Sequence, residues 1–91
     1  MPDALGSANK VGEALTHGLT LELLAARIRL YLARQPRAAD TLRGVIEAWL
    51  SDIRPPPSPD DVLAVLLQLE ADGAVERIEL LDGGQLWRAA R

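Results

Sequence analysis

Nucleophilic and acid–base chemistry draws on a short list of side chains, and this chain holds few of them. It has no cysteine, one histidine (His17) and three serines (Ser7, Ser51 and Ser58). The lack of cysteine excludes a disulfide framework, a thiolate zinc site and a thiol nucleophile. Ser58 stands directly before Pro59 at the start of an apolar helical pattern, so it reads as a helix cap and not as the partner of His17. Asp60 and Asp61 are a carboxylate pair that a metal or an acid–base step could use. First-turn acids that oppose the helix dipole explain them better, because no histidine or further carboxylate converges on them to complete a ligand set. Gly83-Gly84 lies between two strand-like runs, not between a strand and a helix, and so does not make a phosphate loop. The expectation is a non-enzymatic protein with no cofactor and no metal.

What remains is recognition. Leu23, Arg27, Leu30 and Arg34 fall at i, i+4, i+7 and i+11 on the face of a first helix opposite its apolar stripe. Two leucines there are more than a solvated face needs, although single exposed leucines are common. On a third helix the outward positions are Asp60, Ala64, Leu67, Gln68 and Ala71, with Leu63 at the boundary. Charge separates the two faces. Arg27, Arg29, Arg34, Arg37 and Arg43 gather where Asp40 is the only acid from Leu24 to Ile46, whereas Pro55–Glu76 has no Lys or Arg and holds Asp60, Asp61, Glu70, Asp72 and Glu76.

The elements that must carry these faces follow from periodicity and punctuation. In 91 residues with net charge −3 there is room for one domain, and the charge gives no general affinity for nucleic acid. No apolar run approaches the ~18 residues of a membrane span, and no signal peptide opens the chain, so a cytoplasmic protein is expected. Nine Arg against one Lys suggests a GC-rich genome. Residues 1–18 contain Gly6, Gly12 and Gly18 and read as a flexible or partner-dependent tail, though Ala4, Ala8, Val11, Leu15 and Leu19 keep helical spacing. A first helix is predicted from an N-cap at Thr20, with a Leu19/Leu24 staple, to about Arg34, and it buries Leu21, Leu24, Ala25, Ile28, Tyr31 and Leu32. Asp40 is predicted to cap a second helix over Thr41–Ser51, with Leu42, Val45, Ile46, Trp49 and Ile53 inward. Gly44 within it marks close approach of another backbone. Trp49 reads as a core anchor, with base stacking as the lesser alternative. Pro55-Pro56-Pro57 makes a stiff polyproline connector.

The third helix is the best specified: Ser58 as N-cap, Pro59 at N1, Asp61 at N3 and Gly73 beyond its end, with Val62, Val65, Leu66 and Leu69 buried. A hairpin follows. With Gly83-Gly84 as a two-residue loop, Leu80 pairs with Trp87, Ile78 with Ala89, Glu79 with Arg88 and Leu81 with Leu86.

The run Ser58-Pro59-Asp60-Asp61-Val62-Leu63, the pattern from Leu66 to Val75 with Gly73, and the Asp82-Gly83-Gly84 tip resemble the winged-helix branch of the helix-turn-helix superfamily, over Leu19 to about Ala90. The resemblance implies an α+β fold, mostly helical, with three helices and a C-terminal two-stranded β-hairpin, in which the third helix and the hairpin would be recognition helix and wing. Two features depart from the DNA-binding members: a longer connection between helices two and three, and a third helix without basic residues.

A major-groove helix presents Arg, Lys, Asn or Gln to base edges, and here only Gln68 qualifies. Asp60 and Asp61 occupy the helix N-terminus where a phosphate would sit, each costing about 1 kcal/mol at ~6 Å from it. The expected function is therefore a protein–protein interaction adaptor whose partner is another protein or a second copy of itself, the copies meeting through the basic helix-one and acidic helix-three faces. The candidate residues are Leu23, Arg27, Leu30 and Arg34 on helix one, and Asp60, Leu63, Ala64, Leu67 and Gln68 on helix three. The alternative is a DNA-binding transcriptional regulator, with nucleic acid reaching the basic helix-one face and not the third helix.

Overall fold

Where the sequence punctuates most strongly, at Ser58, the structure follows it closely. In the computed structural model, which describes residues 2–91 and the side chains from His17 onward, Ser58 Oγ accepts the Asp61 N–H at 3.2 Å and Pro59 opens a helix over Pro59–Ala71. This helix closes with two backbone bonds, Gly73 N–H to the Glu70 carbonyl (3.1 Å) and Ala74 N–H to the Leu69 carbonyl (2.9 Å). That pair is the Schellman arrangement, which satisfies carbonyls a helix end would leave orphaned. Val62, Val65, Leu66 and Leu69 are all buried, as their spacing requires.

The elements run α1 (Pro2–Arg34), β1 (Ala39–Asp40), α2 (Leu42–Gly44) continuing as a π-helical turn (Val45–Trp49), α3 (Pro59–Ala71), β2 (Val75–Glu79) and β3 (Gln85–Ala89). The fold is α+β, with three helices and an antiparallel sheet of three strands in the order β1-β3-β2. Leu24, Ile28 and Leu32 of α1, Val45, Trp49 and Leu50, the four α3 residues, and Val75 and Trp87 of the sheet form one core. Leu21, Ala25 and Tyr31 pack at its margin.

Five expectations are corrected. First, α1 does not begin at Thr20. The helix is continuous from Pro2, so Thr20 lies inside it, and Leu19, 66% exposed, makes no staple with Leu24. A capping residue acts only where the chain leaves helical geometry, and the backbone stays helical across Gly6, Gly12 and Gly18. Whether those side chains before His17 dock on anything lies outside the described side chains. At 1.5 Å per residue, α1 is about 50 Å long, close to the long dimension of a molecule of 56 × 27 × 24 Å.

Second, the sheet is not a two-stranded hairpin, because Ala39 and Asp40 pair with Arg88 and Trp87 as a third strand. Third, and as a consequence, Asp40 does not cap the second helix. Thr41 does, its Oγ1 accepting the Gly44 N–H at 3.1 Å. The Asp40 carboxylate instead accepts the Trp49 indole N–H at 2.7 Å. The second helix itself loosens into the π turn, in which the Leu50 N–H reaches the Val45 carbonyl five residues back. Fourth, what approaches Gly44 is this same carboxylate and not a backbone. A Cβ there would meet Asp40 Oδ1 at 2.6 Å and its Cβ at 2.9 Å.

Fifth, the hairpin register shifts. Arg77 pairs with Trp87, Ile78 with Leu86, Glu76 with Arg88 and Val75 with Ala89. The loop is Leu81-Asp82-Gly83, with the Gly83 N–H on the Leu80 carbonyl at 3.0 Å and the Leu80 N–H on the Gly84 carbonyl at 2.8 Å. Only Gly83 of the loop glycines takes a positive φ (88°), which suits a type I turn followed by a left-handed residue and not a primed two-residue turn. The slot assigned to Leu80 over Trp87 goes to Arg77, whose guanidinium carbon lies 5.5 Å from the indole centroid. Opposite charges still meet across the strands, as Arg88 Nε donates to Glu76 Oε1 at 2.5 Å. The Arg54–Pro55 peptide that leads into the proline connector is cis.

The Asp40–Gly44–Trp49 contact yields a sharp expectation. Alanine is ordinarily worth up to ~1 kcal/mol over glycine in a helix, yet Gly44→Ala should lower stability by about 1–3 kcal/mol, the usual cost of overpacking. In an Asp40→Gly background, which removes both the carboxylate and the Cβ that the new methyl would strike, the same substitution should become neutral or stabilising. Urea melts of the four-member cycle measure this, and additive effects would show that the two residues do not interact.

Candidate functional site

The α1 stripe is built by helix phase. With Leu24, Ile28 and Leu32 fixed in the core, Leu23 and Leu30 turn outward, 55% and 42% exposed. Arg27 is half-buried and pairs with Asp52 beyond the π turn. Arg34, in the last turn of α1, is exposed and complements the helix dipole there. Arg27, Leu30 and Arg34 line a groove of ≈ 180 Å³ against Ala48, Trp49 and Asp52. Its floor is aromatic: the Tyr31 and Trp49 rings stack with centroids 5.3 Å apart and planes inclined by 14°. Trp49 is buried and hydrogen-bonded to Asp40, so it anchors the core and offers no free face for a base.

The α3 face sits on the other flank of α1. Leu21 and Ala25 line a second hollow, of ≈ 290 Å³, with Ala64, Val65 and Gln68. Asp60, Ala64, Leu67 and Gln68 are exposed, Leu67 by 42%, and Leu63 is intermediate. Gln68 Nε2 donates to Asp72 Oδ1 at 3.1 Å, so the one amide suited to a base edge is engaged within its own helix. The α1 and α3 candidates therefore do not merge into one patch. The first group faces the end of the α2 region, and the second faces away beyond the α1–α3 seam.

Intramolecular pairing decides which charges are left for a partner. Arg29 lies 3.6 Å from Asp72, Arg43 is 2.8 Å from Glu47, and Arg77 is 3.4 Å from Glu70. The Glu47 hydrogen bond, and then its charge, raise the Arg43 pKa above its ordinary value. Among the described residues Arg34, Arg37, Arg54 and Arg91 have no carboxylate partner. Arg37 and Arg91 line an open, polar hollow with Arg88 at the β1 side of the sheet.

Sequence reasoning missed two features. His17 Nε2 lies 3.4 Å from Asp61 Oδ1, because α1 and α3 run side by side in the same direction. This brings a histidine to a carboxylate, while the nearby Ser58 Oγ is held as the helix cap. Leu81 was missed as well: it stands at the hairpin tip fully in solvent, and only the true register reveals this. Among the described residues no group of three His, Cys, Asp or Glu side chains is arranged to hold a metal, and no helix is long and apolar enough to cross a membrane.

Comparison with known protein families, characterised proteins and solved structures gives no match. The chemistry of these faces is thus the whole basis for a functional reading. The Arg27–Asp52 pair is partly exposed on both sides, so Asp52→Asn should cost under ~1 kcal/mol in chemical denaturation, and the difference should shrink in high salt. A larger, salt-insensitive loss would mean that Asp52 holds the α2 end in place by packing.

Proposed function

We propose that this chain is a winged-helix domain that works as a non-enzymatic protein–protein interaction adaptor and binds another protein or a second copy of itself. Three helices followed by a Gly-tipped hairpin, with the strongly capped α3 directly before β2, support the winged-helix reading. The observation that carries the adaptor reading is the exposed surface of α3. It presents Ala64, Leu67 and Asp60, no cation, and a Gln68 already bonded to Asp72. A phosphate-lined groove repels such a surface, whereas a partner with apolar and basic side chains complements it. The α1 groove offers the opposite character, with Leu30, Tyr31 and Trp49 beneath Arg27 and Arg34.

The second reading, a DNA-binding regulator, draws on Arg34 and Arg37. These lack carboxylate partners and lie near the α1–β1 connection. Titration with random-sequence duplex DNA at low salt separates the two. The adaptor reading expects no sub-micromolar binding. Sub-micromolar affinity that falls steeply with added salt would overturn it, because that slope counts released phosphate counterions. The experiment also grades the faces: Arg34→Glu should weaken any residual DNA affinity, and Gln68→Ala should leave it unchanged.

A further inference from the structure

The hairpin tip spends three hydrogen bonds to hold a leucine in water. Gly83 N–H to the Leu80 carbonyl, Leu80 N–H to the Gly84 carbonyl, and Gly84 N–H to Asp82 Oδ1 (2.9 Å) lock five consecutive residues. Leu81 occupies the second position of that turn with a relative exposure of 111%. Turns favour Gly, Pro, Asn, Asp and Ser for backbone reasons, and leucine supplies none of them. A leucine left in water instead of fully buried forfeits about 1.5–3 kcal/mol of transfer free energy. On so firmly bonded a loop, little ordering cost would oppose its burial in a partner. The next residue, Asp82, has no ion-pair partner among the described residues.

The tip thus offers an apolar knob beside a carboxylate. The α1–α2 groove offers the converse: an apolar floor of Leu30, Tyr31 and Trp49, its one carboxylate, Asp52, paired with Arg27, and the unpaired Arg34 guanidinium at its rim. The hollow between α1 and α3 is larger but fits the knob poorly. Asp60 and Asp61 sit on the α3 turn leading into it, and the nearby Arg29 is already beside Asp72. Its lining, Leu21, Ala25, Ala64, Val65 and Gln68, holds no cation for Asp82.

We infer that the α1–α2 groove receives the hairpin tip of a second copy of this chain, with Leu81 on the apolar floor and Asp82 against Arg34. This rests on the adaptor reading and names the partner and the contact. Knob and groove are different surfaces of one molecule, and the full exposure of Leu81 shows that it does not fill its own groove. Each copy gives one tip and receives one, so the contact either closes reciprocally in a two-fold dimer or a larger ring, or runs on as an open chain.

Sedimentation of the intact chain over a concentration series tests this. The average mass should rise with concentration for the natural sequence. Leu81→Ser and Arg34→Glu should each weaken association at least tenfold; Leu81→Ser should leave Tm unchanged, and Arg34→Glu should lower it only slightly, through the charge it reverses at the end of α1. A mixture of the two variants should recover a 1:1 pair and nothing larger, because only one tip and one groove remain intact. The inference is overturned if the natural sequence stays monomeric to millimolar concentration, if Leu81→Ser associates as the natural sequence does, or if the mixed variants do not pair. Those failures leave an adaptor for a different protein standing, and that reading falls only to the DNA titration.

Discussion

One hydrogen bond ties the parts of this fold together: the Trp49 indole N–H on the Asp40 carboxylate. Trp49 is a large buried side chain stacked on Tyr31 of α1, and burying its N–H without an acceptor would cost roughly 1–3 kcal/mol. Asp40 meets that need from a strand, not from a helix cap, and its backbone is at the same time paired with Trp87 of β3. One residue therefore joins the edge of the sheet to the middle of the second helix. The demand also shapes its surroundings. Gly44 must lack a Cβ to admit the carboxylate, Thr41 takes over the capping, and the helix widens by one residue so that Val45, Trp49 and Leu50 can all face inward. Tyr31 then stacks on the outer side of the indole and closes the groove floor that the candidate site uses.

The parts legible in the sequence are those fixed by local chemistry. The cap at Ser58, the stop at Gly73 and the buried faces of α1 and α3 each depend on residues within a turn or two of one another, and they fold as their spacing says. The errors arose where a distant group competes for a residue. Asp40 looks like an ideal N-cap beside Thr41, and only the indole nine residues on reveals why it is not one. Leu80 looks like the natural cover for Trp87, because alternation favours an apolar partner. The arginine stem and guanidinium of Arg77 cover the ring as well, and Arg77 also reaches Glu70, which leucine could not do. Thr20 failed for the opposite reason, since local cap chemistry was present but the helix did not stop there.

The candidate residues were legible as exposed positions and not as a site. Helix phase placed Leu23, Leu30, Ala64, Leu67 and Gln68 on the surface correctly. It could not say that the two groups lie on opposite flanks of α1, because that depends on where α2 and α3 pack. Nor could it say which charges stay available. Arg27, Arg29, Arg43, Arg77 and Arg88 all look alike in sequence, and each is beside a carboxylate in the fold.

This pairing changes what the split between a basic first half and an acidic α3 means. Partly exposed ion pairs contribute little stability, but they remove charge from the long-range field, and they do so unevenly. Four of the five carboxylates between Pro55 and Glu76 are engaged by a histidine or an arginine, and Asp60 is left over. On the other side Arg34 and Arg37 are left over. The surface a partner meets is thus not a strongly basic face and a strongly acidic face. It is mostly neutralised, with a few single charges beside exposed leucines: Arg34 near Leu30, Asp60 on the α3 face with Leu67, Asp82 beside Leu81. Single charges next to apolar knobs give orientation and register more than raw attraction. That pattern favours reading the α1 and α3 faces as parts of a protein interface, since the described arginines that are unpaired and share a hollow, Arg37 and Arg91, lie at the β1 side of the sheet and not on these faces.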